Sequence, residues 1–172
     1  MTAASRTDRT SVLVIGFGNP GRLDDGLGPA FAVRLAEAGI NGVTVDSDYQ
    51  LNIENAADIA EHDVVVFVDA SVNSPEPFSF YRLEPAEDTS FSTHSVSPRA
   101  VLHLAHQCFE ARTRGYVLEI RGYEFDDFGE ELSERSRKNL ESALEFATEL
   151  FEEKRFEAAA ACACAAVSET GA

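Results

Sequence analysis

Residues 12 to 28 run Val12-Leu13-Val14-Ile15-Gly16-Phe17-Gly18-Asn19-Pro20-Gly21-Arg22-Leu23-Asp24-Asp25-Gly26-Leu27-Gly28. An apolar, β-branched run meets a glycine-rich turn, two adjacent carboxylates and then a helical pattern, which predicts a strand, a tight turn and a helix start. Residues 11–17 are apolar on both faces, as in a strand covered from both sides of a parallel sheet. Leu27, Phe31, Leu35 and Ala38 then recur at helical spacing, and Gly39 ends the pattern. Asp24 and Asp25 stand at the mouth of that helix.

The alternation of strand and helix continues downstream. Strands are predicted at 42–46, 64–69, 78–83 and 116–120, and a helix at 51–62. Ser97-Pro98 opens a second helix with Val101, Leu102, Ala105 and Cys108 on its inward side. Ser133 caps a long one, whose stripe is Leu140, Ala143, Leu144, Ala147, Leu150 and Phe151. The pattern predicts an α/β fold: a single-domain three-layer sandwich, with a mostly parallel twisted sheet of about five strands and helices on both faces. The domain is expected over 11–157, after a flexible tail at 1–10. The alanine-rich stretch 158–172 is expected to be a frayed helical extension or a disordered tail.

A chain of 172 residues fits one domain. Its formal charge of -16 and pI near 4.5 argue against nucleic acid and anionic membrane as partners, since both would be approached against repulsion. The start of the chain lacks the apolar segment of a secretory signal, and no uncharged apolar run reaches the roughly 20 residues that span a bilayer. Three cysteines, Cys108, Cys162 and Cys164, form no even framework, which points to a reducing, cytoplasmic setting. Cys162-Ala163-Cys164 lacks the second half of any zinc pattern. His103 and His106, three apart on a predicted helix, are read as a solvent-turned face, and the acidic loop 124–134 as a solvated surface.

In a parallel sheet, ligands sit at the carboxyl ends of the strands. Asp25 follows the first strand, Asp69 ends the third and His94 lies beyond the fourth, so the three converge if the first and third strands are neighbours. Two carboxylates and an imidazole suit a borderline divalent metal such as nickel, zinc or iron. Without a cation the two carboxylates repel, and one tends to keep its proton. Taken singly, an Asp at a helix start is commonly a cap, an Asp at a strand end a turn residue and a loop His a solvated one. The case rests on their sharing one rim.

A rival reading is dinucleotide binding, because Gly16-Phe17-Gly18-Asn19-Pro20-Gly21 spells G-x-G-x-x-G and Asp46 stands where a ribose-binding acid would. Asp24 and Asp25 oppose it, since they put negative charge where a pyrophosphate would need the helix N-terminus. A metallohydrolase of the common zinc-protease type would need an H-E-x-x-H helix, which is absent from the sequence.

The combination of Gly16-Phe17-Gly18-Asn19-Pro20, Asp24-Asp25-Gly26-Leu27-Gly28, Val66-Phe67-Val68-Asp69-Ala70 and Thr93-His94-Ser95-Val96-Ser97 resembles the nickel-iron hydrogenase maturation endopeptidases over residues 11–151. Gly21 stands where many members carry a bulky apolar residue, and 47–51 replace a glycine-glycine-threonine turn. The resemblance implies an endopeptidase that removes a C-terminal peptide from a hydrogenase large-subunit precursor once nickel has been inserted. Asp25, Asp69 and His94 would contact the precursor's nickel, so the metal arrives with the substrate and serves as the recognition element. The resemblance supplies no catalytic nucleophile. A module of a different class, one that reads metal loading without cleaving, is the second expectation.

Overall fold

The most apolar run of the chain, Val64 to Val68, forms the middle of the sheet. Here β3 (Val64–Ser71) lies between β1 (Val12–Phe17) and β5 (Arg114–Arg121). β2 (Val43–Asp48) lies beyond β1 and β4 (Phe78–Leu83) beyond β5, giving the order β2-β1-β3-β5-β4. The first four strands named pair in parallel, and β4 runs antiparallel to β5. The structure, a computed structural model, describes residues 10–87 and 96–169, the last seven as backbone.

Alternation along each strand divides the core into two layers. Val12, Val14, Val64, Val66, Val68, Tyr116 and Leu118 face α1 (Leu27–Ala38), α4 (Glu134–Glu153) and α5 (Phe156–Glu169). Leu13, Ile15, Val65, Phe67 and Val117 face α2 (Asn55–Ala60) and α3 (Pro98–Phe109). Val64 through Val68 are fully buried because both faces are covered. Among the described residues, no helix is long and apolar enough to cross a membrane.

Four details depart from the sequence reading. α2 starts at Asn55 rather than 51 because Asn52 and Asn55 take each other's backbone: Asn52 N–H donates to Asn55 Oδ1 (2.9 Å) and Asn55 N–H to Asn52 Oδ1 (3.3 Å), which holds the preceding turn out of helix. Cys108, expected inward, is exposed, because the α3 stripe that meets the sheet is Val101, Leu102 and Ala105. His106 is not simply turned to solvent, since its Nε2 pairs with the Thr113 carbonyl at 2.8 Å. The core also runs into the alanine-rich stretch: α5 buries Phe156 and Ala160, three residues past the boundary expected at 157. Phe156 lies 5.5 Å from the Tyr116 ring and 6.1 Å from that of Phe151, and Glu157 accepts hydrogen bonds from Tyr116 Oη (2.7 Å) and from Arg82.

Candidate functional site

The parallel strands β1, β2, β3 and β5 bring their carboxyl ends to one rim. Gly16 lies opposite Val68, so Asp69, the next residue of β3, stands beside the end of β1; on its other side Asp69 pairs with Glu119 of β5. α1 is pressed directly onto this rim. A Cβ on Gly28 would sit 2.3 Å from the Phe17 carbonyl oxygen and 2.6 Å from that of Val68, and one on Gly16 would sit 2.2 Å from the Gly28 carbonyl oxygen. Only hydrogen at these two positions lets the helix start touch the strand ends.

The turn between β1 and α1 is fixed by its own polar groups. Gly18 adopts φ +141, and a Cβ there would meet the Asp25 carbonyl oxygen at 2.1 Å. The Asn19 N–H donates to Asp25 Oδ2 (2.9 Å), and the Gly21 N–H donates to Asn19 Oδ1 (2.9 Å). The glycines of the G-x-G-x-x-G string therefore pack the turn against the chain itself, with Asp25 held at the mouth.

The charge of Asp25, in the turn after β1, acts on Asp69 near the end of β3. Burial pushes the Asp69 carboxyl up to about 7; the Ala70 N–H, donating at 2.8 Å, opposes the rise, while the charges of Asp25 and Glu119 add to it. Glu119 is the carboxylate that sequence reasoning missed. The signal for it was a single charge in an otherwise apolar strand, on the same face as Asp69 once the strand order is known. Tyr81 Oη donates to Glu119 Oε1 (2.9 Å) and Ser79 Oγ to Oε2 (3.4 Å). The Tyr81 hydroxyl is held above its usual range by burial, by that bond and by the Glu119 and Asp69 charges, against a smaller opposing effect of Arg99.

Asp24 has a different task from its neighbour. Read from sequence as a cap of the helix that follows it, its side chain makes no cap bond there and is fully buried. It accepts five hydrogen bonds: Oδ2 from the Tyr123 N–H (2.8 Å), the Glu124 N–H (3.0 Å) and Ser133 Oγ (2.8 Å), and Oδ1 from the Ser133 N–H (2.7 Å) and Ser136 Oγ (2.7 Å). A buried carboxylate is tolerated when its lone pairs are filled in this way. Asp24 thereby ties the mouth of α1 to the exit of β5 and the start of α4.

His94, the third expected ligand, lies outside the described residues. The first described residue after it, Val96, reaches the loop beyond β2 through a bond from its N–H to the Leu51 carbonyl (3.4 Å). Among the described residues, no three His, Cys, Asp or Glu side chains are grouped to hold a metal ion. Of the three sequence-derived positions, Asp25 follows β1 in the turn before α1 and Asp69 lies near the end of β3.

No protein-family model matches the chain, and no curated protein matches it. Solved structures do. One is a [NiFe] hydrogenase maturation protease, HycI, from Thermococcus kodakarensis KOD1, 24% identical with a TM-score of 0.66 over 87% of this chain and 99% of that one. A hydrogenase 2 maturation peptidase from a Thaumarchaeota archaeon is 20% identical, TM-score 0.60, over 83% of this chain and 98% of that one. The hydrogenase maturating endopeptidase HybD from E. coli is 19% identical, TM-score 0.60, over 84% and 94% respectively. At these identities the likeness is one of fold, and the chain shares the fold of hydrogenase maturation proteases.

Proposed function

We propose that the protein is a hydrolase, an endopeptidase that trims the C-terminal peptide from a nickel-loaded hydrogenase large-subunit precursor in the cytoplasm. The observation that supports this reading is that Asp25, in the turn after β1, and Asp69, near the end of the neighbouring β3, stand at one rim of a fold shared with maturation proteases. Nickel enters as part of the substrate. Asp25 and Asp69 supply oxygen donors, and His94 the imidazole nitrogen, to a metal the precursor already holds on its own ligands. A cation favours the charged form of a neighbouring carboxyl, so loaded precursor draws the proton from Asp69, while an empty one leaves that proton in place. The site is thus complementary to the loaded substrate and not to the empty one.

The test is incubation of purified protein with nickel-loaded and nickel-free precursor, read by mass spectrometry. The loaded precursor alone should shorten, and Asp25→Asn, Asp69→Asn and His94→Ala should each slow shortening by about 100-fold or more. If neither precursor shortens while the loaded one is retained on the protein, the non-catalytic sensing module takes the place of this reading.

A further inference from the structure

Large apolar side chains left in solvent are not scattered evenly over this molecule. Seven stand out among the described residues, and four of them, Tyr49, Ile53, Val72 and Phe128, leave the carboxyl-terminal rim of the sheet. Tyr49 and Ile53 follow β2, Val72 follows β3 and Phe128 follows β5. Backbone bonds tie the chain beside Tyr49, Val72 and Phe128 to neighbouring turns of this rim. Gly18 N–H donates to the Asp48 carbonyl (3.1 Å) just before Tyr49, and Gly122 N–H donates to the Ser71 carbonyl (3.0 Å) just before Val72.

Phe128 is the most exposed of the four, at 80%, yet it is firmly presented. Its N–H donates to Asp127 Oδ1 (2.8 Å), and the next residue, Gly129, is bonded on both sides of the β1 turn: its carbonyl accepts from the Leu23 N–H (2.8 Å) and its N–H donates to the Gly21 carbonyl (2.9 Å). The Arg22 guanidinium lies 5.3 Å from the ring centre. The same stretch, 122–133, carries five acidic residues and no basic one, and all five are exposed. Apolar side chains held out among exposed negative charge mark a surface built to be covered.

We propose that this rim is a docking surface for a polypeptide segment with basic residues set between apolar ones, and that Phe128, Val72, Tyr49 and Ile53 are its apolar anchors. The inference rests on the endopeptidase reading, in which the ligand of the mouth is a polypeptide, and it adds the chemistry of the segment that flanks the scissile region. Apolar contacts supply the affinity, and the acidic fringe steers approach and selects against acidic chains.

The test uses a fluorescein-labelled peptide of alternating Arg and Leu, its Glu-for-Arg version and its Ser-for-Leu version, in anisotropy titrations. The Arg–Leu peptide should bind, the Glu–Leu peptide should not, and Arg–Ser should bind about tenfold more weakly or worse. Phe128→Ser with Val72→Ser should weaken Arg–Leu binding by a similar factor, whereas Val33→Ser, about as exposed as Val72 but on α1, should leave it unchanged. Equal binding of Arg–Leu and Arg–Ser, or indifference to the double variant, overturns the proposal. So does a dimer in sedimentation that the double variant dissolves, for then the rim covers itself. With precursor as substrate, the double variant should raise KM with kcat retained. Cleavage with unchanged KM defeats the docking surface and leaves the endopeptidase reading standing; peptide binding mapped to the rim without any cleavage does the reverse.

Discussion

At the end of β3 a carboxyl group is held where water is scarce and two other carboxylates are near. Asp69 has its folded pKa raised to about 7 from an ordinary value of 3.8, so between those pH values the folded chain keeps a proton that the unfolded chain has released. Stability contributed by this group is present in full below pH 4 and lost as pH rises through 7. Asp69→Asn keeps an acceptor for the Ala70 N–H and removes the charge. Chemical denaturation should therefore find it little different from the parent at pH 4 and more stable at pH 8 by about 4 kcal/mol, while processing activity is lost. Asp25 and Asp69 were legible in the sequence because strand ends are visible in the hydrophobic pattern. Asp24 was not, because its donors lie 99 to 112 residues away along the chain. Local rules can assign it only to its own helix.

Elements were legible wherever a single period ran long enough. The five strands and the stripe of α4 follow from alternation and helical spacing, and the neighbourhood of the first and third strands, left as a condition by the sequence, is met in the sheet. The start of α2 escaped because two asparagines compete with the helix for its first turn. The approach of α1 to the sheet separates two meanings of glycine. Gly39 ends α1 at φ +61 with nothing near its missing side chain, whereas Gly28 has an ordinary φ and two carbonyl oxygens within 2.6 Å of where a Cβ would stand. Gly39→Ala should cost about 1 kcal/mol, the strain of a left-handed residue. Gly28→Ala should cost about 3 kcal/mol, because a helix must move off the strand ends. Thermal unfolding of the two variants ranks space above conformation if this is right, and the reverse order would refute it.

At the scale of the molecule, the sheet's antiparallel edge strand is packed by the helix that runs into the alanine-rich stretch. α5 lies against β4, an edge whose backbone would otherwise be open to pairing with another chain. Among the described residues its hold consists of one fully buried ring, Phe156, one buried methyl, Ala160, the partly buried Ala159, and the bonds of Glu157 to Tyr116 and Arg82. Phe156→Ala should lower stability by about 3 to 5 kcal/mol and speed hydrogen exchange in β4 ahead of β1 and β3. Uniform acceleration across the sheet would mean that α5 is no separate unit. The alanine composition concealed this docking, since one aromatic before an alanine run carries no period to read.

The five hydrogen bonds that fill Asp24 come from residues 123 to 136, all later in synthesis than the last strand, which ends at Arg121. A growing chain can possess every strand and still have no partner for that carboxylate, so the turn bearing Asp25 stays unbraced until α4 begins to emerge. Translation order alone then withholds a braced turn from any chain that has not yet reached α4.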